Sequence, residues 1–440
     1  MDQLKRDYSW IEAPLVACGP MRLIALAPLA TEVSKAGGLG FVGAGSDASK
    51  LDSILGEVRK LSAEDKRLSQ VQDVLPVGVG FLLWAGDKLL RDALPSIEKY
   101  CPAAIWLFAP NHTDDLSKWT TEVRRVTSNK TKLWIQVGTV ANALEVTRSC
   151  HPDVLIVQGQ DAGGHGLHKA AGIIPLFPEV DDAITDLCQT SSIPKPVLVA
   201  AGGILDPRTA AAALTLGASG LVMGTRYLAT PEAQIAAGYR DAVLAAADGG
   251  QHTERTKLYD QLRGTTDWPA AYGGRGVLNE SFHDAQKGVE FWELKRLHDE
   301  ALGTGDAGWG HGGGVARLTT YAGTGVGLVG KVMGAGEVTV EVREGARRVV
   351  REAGARLSRL PAMLCHSGLF SFLASALVSQ SRTLQSRRSA GSSDWTPPPT
   401  RILKVNTRSK LHIAPAGIAS EPNPSREPGA GGIALSESLR

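Results

Sequence analysis

The sequence predicts an α/β fold in which eight parallel strands alternate with helices and close into a (β/α)8 TIM barrel. Three observations carry that expectation. Eight short apolar runs recur through the first half of the chain, longer segments of helical periodicity separate them, and glycine-rich turns follow the later ones. Strands that are continuously apolar and separated by helices pair in parallel beneath helical layers. Eight is the number that closes such a barrel. An open, doubly wound sheet is the rival architecture, because periodicity does not show closure.

The apolar runs lie at 14–17, 40–43, 75–79, 104–108, 133–137, 154–157, 196–200 and 220–223. Segments 51–61, 87–99 and 207–216 between them have the spacing of amphipathic helices. The interval 163–194 is longer than a simple βα unit and reads as a glycine-rich loop followed by a helix at 178–188. An insertion of that kind after a strand suits a binding loop. Residues 1–230 are therefore read as the barrel core. Residues 231–356 are mainly helical in pattern, with a glycine-rich break at 303–314, and are expected to pack as an appended helical segment over the barrel mouth. Residues 357–440 turn to Ser, Pro, Arg and Gly, the composition of a disordered tail. Cys365, His366, Gly368 and several serines interrupt the apolar stretch 361–379, which argues against a membrane span.

Bulk composition narrows the function classes. A chain that is 43% hydrophobic and 21% charged is ordinary for a globular protein, so disorder throughout is excluded. A formal charge of +2 leaves no global nucleic-acid footprint. Cys18, Cys101, Cys150, Cys188 and Cys365 show no C-x-x-C spacing, which argues against a zinc site or a disulfide framework. The N-terminus lacks the basic-then-apolar run of a secretory signal, so a cytoplasmic enzyme is expected.

The sharpest motif is Gln158-Gly159-Gln160-Asp161-Ala162-Gly163-Gly164-His165-Gly166, directly after a strand. In a barrel that is the C-terminal face, where the chemistry of this architecture resides. Glycines there let backbone approach a ligand closely and leave the His165 imidazole room to face a substrate. Ala201-Gly202-Gly203-Ile204 and Met223-Gly224-Thr225-Arg226 follow the seventh and eighth runs. Backbone N–H groups at such paired turns form a phosphate cradle, to which the Thr225 hydroxyl adds a donor. Two G-x-G-x-x-G matches, beginning at Gly38 and Gly325, lack the strand–turn–helix context of a dinucleotide site. His311-Gly312-Gly313-Gly314 has no G-x-S-x-G nucleophile elbow to serve, which argues against a hydrolase.

These motifs resemble the FMN-dependent nitronate monooxygenases, formerly called 2-nitropropane dioxygenases, and especially their fungal members. The resemblance rests on Val33-Ser34-Lys35-Ala36-Gly37-Gly38-Leu39-Gly40, the motif ending in Gly166, Ala201-Gly202-Gly203-Ile204, and Gly217-Ala218-Ser219-Gly220 through Thr225. Trp268-Pro269, Gly274-Arg275, Asn279 and the segment 323–327 extend it. The resemblance implies an FMN with Pro20 and Met21 beside its ring, and Gln136, Gln158 and Gly159 around its polar edge. It further implies Gly163 and Gly164 beneath the cofactor, Gly202, Gly203, Gly224 and Thr225 at its phosphate, and His165 as the catalytic residue. No metal is implied. The implied reaction is oxidation of an alkyl nitronate by O2 to a carbonyl compound and nitrite, extending to nitroalkanes if His165 removes their α-proton.

The chain departs from the family pattern in three places. Cys18-Gly19-Pro20-Met21 stands for the usual Ala-Pro-Met, Gly80 stands where many bacterial relatives have Asn, and Asp161 replaces a frequent Glu. The alternatives are an FMN-dependent enoyl-thioester or NAD(P)H:quinone reductase on the same barrel, and a non-catalytic barrel that binds a phosphorylated ligand.

Overall fold

The computed structural model describes residues 2–358 of the chain, so most of the expected tail lies outside the described residues. The strands are β1 (Leu15–Cys18), β2 (Leu39–Gly45), β3 (Leu75–Leu82), β4 (Pro102–Phe108), β5 (Lys132–Val137), β6 (Val154–Gln158), β7 (Gly164–Leu167), β8 (Val197–Ala201), β9 (Gly220–Met223), β10 (Thr253–Thr256) and β11 (Tyr272–Val277). Parallel pairing runs β1-β2-β3-β4-β5-β6-β8-β9, and β9 returns to β1 with Leu15 opposite Gly220 and Cys18 opposite Met223. The barrel is closed. All eight apolar runs fall on its strands, and the open-sheet alternative is removed.

Apolar residues on both faces of each strand serve two cores. Ala17, Phe41, Trp106, Trp134 and Val199 belong to the interior cluster, while their neighbours Val16, Val42, Ile105, Leu133 and Leu198 pack in the cluster shared with the helices. Leu4, Tyr8, Trp10 and Ile11 from the N-terminal segment join the interior cluster. Trp10 Nε1 donates to the Gly38 carbonyl just before β2 at 3.0 Å, and Trp134 Nε1 donates to the Tyr8 hydroxyl at 2.7 Å. The N-terminal segment therefore seals the end where the strands begin. Chemistry is left to the opposite rim.

Helices follow the strands in the expected order: Ala27–Lys35, Leu51–Ala63, Asp87–Tyr100, Thr113–Thr127, Val140–Cys150, Ile173–Ser191 and Pro207–Thr215. Directly after β9 comes the short helix Thr225–Leu228, and the last helix, Ala335–Ser358, packs on Pro207–Thr215 and Ala27–Lys35. That helix lies in the outer ring and not over the mouth. Among the described residues, no helix is long and apolar enough to cross a membrane.

Three further sequence expectations need correction. The glycine-rich loop after β6 contains a strand, because β7 pairs antiparallel with β11, Gly164 opposite Arg275 and His165 opposite Gly274. β11 pairs in turn with β10. The segment after residue 230 thus supplies a three-stranded side sheet as well as helices. The helix expected at 178–188 begins earlier, at Ile173, and runs through Pro178.

Candidate active site

One buried cation braces the turn that leads into His165. The Arg255 guanidinium, on β10, donates through Nη1 to the carbonyls of Gly164 (2.8 Å) and Gly273 (2.7 Å). Through Nη2 it donates to those of Ala162 (2.7 Å) and Gln160 (3.3 Å). Four carbonyls around a planar fork tie the 160–164 turn to the side sheet. Burial first, and then the positive charge of Arg275, bring the Arg255 pKa down to about 10. The same turn is pinned from its other side. A Cβ at Gly163 would stand 2.5 Å from the backbone of Ala322 and Gly323, so only glycine allows that contact. Thr324 closes the arrangement, its N–H and hydroxyl both donating to Asp161 at 3.0 Å.

The imidazole is fixed on several sides. Its Nε2 lies 2.8 Å from Asp260 Oδ1, and its ring stacks on Trp268 with centroids 3.6 Å apart and planes 3° from parallel. Tyr321 lies tilted at 5.4 Å, and its hydroxyl donates to the same Asp260 oxygen at 3.1 Å. The side chains of His165 and Asp260 are 13% and 4% exposed, so the pair is screened from bulk water without being sealed from a ligand. Burial holds His165 below the ordinary histidine value of 6.5, the hydrogen bond and charge of Asp260 oppose the shift, and Arg255 and Arg263 add to it. The direction of the shift favours the neutral imidazole. Burial also pushes the Tyr321 hydroxyl up, so it remains a donor.

The other candidate residues occupy the same rim in two arcs. Pro20, Met21, Gly202, Gly203, Gly224 and Thr225 follow β1, β8 and β9, which are contiguous in the barrel. Gly202 and Gly203 have φ of +89° and +74°. At Gly224 an added Cβ would meet only Met21 Sδ, at 3.9 Å, so backbone faces open space. Thr225 Oγ1 accepts from the Gly323 N–H at 3.0 Å, which leaves its own proton for a ligand. Gly224 and Thr225 thus offer open backbone and a donor hydroxyl of the kind that suits a phosphate, while Gly202 and Gly203 pack against the 159–162 turn.

The second arc carries Gln136 and Gln158. Gln136 Oε1 accepts from Trp106 Nε1 at 3.1 Å, and Gln158 Nε2 donates to the His165 carbonyl at 3.1 Å. Both glutamines line a small cavity with Gly159, Asn142, Arg255 and Tyr272. Gly80 also acquires a reason. A Cβ there would stand 2.3 Å from the Pro20 ring, so the asparagine of bacterial relatives would displace Pro20.

Sequence reasoning missed Asp260, Arg255 and Tyr321. All three come from the segment after β9, ninety or more residues beyond His165, and none sits in a motif. Trp268 was visible only through the family resemblance.

A closed parallel barrel with a histidine–carboxylate pair at the C-terminal rim of its strands defines a barrel enzyme. A family model described as nitronate monooxygenase matches residues 113–264. Nitronate monooxygenase npaC of Metarhizium robertsii is 46% identical over 362 residues, covering 80% of this chain and 97% of that protein. A nitronate monooxygenase of Neurospora crassa is 34% identical over 370 residues, covering 79% and 94%. The chain belongs to the nitronate monooxygenase family, and it is an oxidoreductase of that class. Two solved structures share the fold. FabK from Thermotoga maritima has a TM-score of 0.61 at 21% identity, covering 80% of this chain and 98% of its own. A nitroalkane oxidase from Streptomyces ansochromogenes has a TM-score of 0.60 at 20% identity, covering 80% and 99%.

Proposed function

We propose that this protein uses FMN and O2 to oxidise alkyl nitronates to a carbonyl compound and nitrite, and that His165 extends the reaction to neutral nitroalkanes. The observation that carries this reading is an imidazole fixed by Asp260 and Trp268 on the rim that also bears the glycine turns and the open backbone at Gly224. Gly202, Gly203, Gly224 and Thr225 would hold the FMN phosphate, with Pro20 and Met21 beside the ring. Gln136, Gln158 and Gly159 would face its polar edge, and Gly163 and Gly164 would lie beneath it. Bound there, the flavin would supply the redox chemistry between substrate and O2.

The protein's own contribution is proton handling and orientation. A neutral nitroalkane must lose its α-proton: the C–H bond breaks, its electron pair stays on the substrate as the nitronate, and the proton passes to His165. The depressed pKa keeps the imidazole free to accept it at neutral pH. A positioned base typically contributes ~10²–10⁴-fold. A preformed nitronate needs no such step.

The test is direct. Purified protein should carry FMN by absorbance and mass, and ethyl nitronate should drive O2 uptake with release of nitrite. Anaerobic NADPH should leave the flavin oxidised. Colourless protein, or flavoprotein that NADPH reduces and that forms no nitrite, overturns the reading.

A further inference from the structure

We propose that Asp260 is the positioning residue for His165: it accepts the Nε2 proton and so makes Nδ1 the atom that receives the substrate's proton. This inference rests on the reading of His165 as the base.

Three polar groups meet Asp260 Oδ1: His165 Nε2 at 2.8 Å, the Tyr321 hydroxyl at 3.1 Å and the Thr265 hydroxyl at 3.3 Å. An oxygen that already accepts from two hydroxyls is an acceptor, so a neutral imidazole bonded to it carries its proton on Nε2. Among the described residues, no group bonds Nδ1. Turning the ring over would place Cε1 against Asp260 in place of Nε2 and would lose the hydrogen bond. Geometry therefore selects one tautomer.

Asp260 Oδ2 is buried and has no hydrogen-bond partner among the described residues, so the side-chain bonds of this carboxylate all run through the oxygen that meets His165. When the substrate C–H bond breaks and its proton reaches Nδ1, the imidazolium and Asp260 become an ion pair across the existing contact. Asp260 then stabilises the charge as it forms.

Asp260 comes from the helix Leu258–Arg263 and Tyr321 from the later segment, so the insertion after β6 supplies the base while the region after β9 sets its tautomer. The charged groups acting on His165 are Asp260, Arg255 and Arg263, and Tyr321 is the titratable neighbour.

Asp260→Asn tests the role, because the amide can donate to Nε2 and shift the ring proton to Nδ1, where it blocks the base. The full-length holoprotein, Asp260→Asn and His165→Asn should be compared with nitroethane and with preformed ethyl nitronate. Nitrogen-15 NMR of the histidines reads the tautomer directly, with His165→Asn identifying the signal. The parent should show the Nε2–H form and Asp260→Asn the Nδ1–H form. Asp260→Asn should lose ~10²-fold or more in nitroethane kcat and far less with the nitronate. The acid limb of its residual nitroethane profile should move to lower pH, since a group favouring the imidazolium has gone.

An Nδ1–H signal in the parent overturns the inference, even if the variant fails to fold. Equal losses on both substrates, or undiminished nitroethane turnover in Asp260→Asn while His165→Asn is crippled, overturn it and leave the base reading standing. Undiminished nitroethane turnover in His165→Asn overturns both.

Discussion

Replacing Arg255 by methionine isolates what holds His165 in place. The substitution keeps an unbranched side chain and removes a guanidinium that satisfies the carbonyls of Gln160, Ala162, Gly164 and Gly273. Three of those bonds measure 2.7–2.8 Å, and each bond from a charged donor is worth ~1.5–3 kcal/mol, for a gross loss of about 4–9 kcal/mol. Against this stands the relief of no longer burying a cation whose pKa has been brought down to about 10, which offsets several kcal/mol. A net destabilisation of about 2–4 kcal/mol follows. Arg255→Lys should fall between parent and methionine, because an ammonium cannot span four carbonyls. Urea unfolding followed by tryptophan fluorescence measures the loss. Nitroethane turnover should fall with it, since β7 carries the base. A methionine variant within ~0.5 kcal/mol of the parent and with full turnover would refute the assignment of Arg255 as the anchor of the turn.

The remaining predictions concern the cofactor arc and the proton. Gly224→Asp should fold normally, because its Cβ meets only Met21 Sδ at 3.9 Å, yet purify without flavin, because the carboxylate would oppose the phosphate. Full flavin occupancy would place the phosphate elsewhere. Gly80→Asn should push the Pro20 ring aside and weaken flavin retention several-fold; unchanged affinity by fluorescence titration would show that Pro20 does not touch the cofactor. The kcat/KM for nitroethane should be level through neutral pH and fall as His165 gains a proton. Because burial depresses the His165 pKa, the midpoint of that limb should lie below 6.5. A midpoint at or above 6.5 would mean that the Asp260 charge outweighs burial.

The barrel was legible because each strand is buried on both faces and therefore reads as an unbroken apolar run between helical segments. His165 and the glycine turns were legible because they directly follow such runs. The side sheet was not. Gly-His-Gly-Leu in β7 and Tyr-Gly-Gly-Arg-Gly-Val in β11 have neither alternation nor β-branched density, and their pairing joins segments more than a hundred residues apart. Asp260 has no motif because its role depends on an oxygen reaching His165 in space, from a six-residue helix of ordinary sequence. Gly163 was expected beneath a cofactor, whereas its most direct constraint is the backbone of Ala322 and Gly323. Spacing along the chain could not reveal that contact.

The account stands most directly on the split between two substrates in His165→Asn. The asparagine preserves a polar side chain of similar size and removes the titratable ring, so flavin content should match the parent. Nitroethane must surrender a proton and ethyl nitronate has already lost it. Steady-state O2 uptake should fall by ~10²-fold or more with nitroethane and by a clearly smaller factor with the nitronate. Parent rates with both substrates would reduce His165 to a structural residue of the side sheet and contradict the assignment of the base.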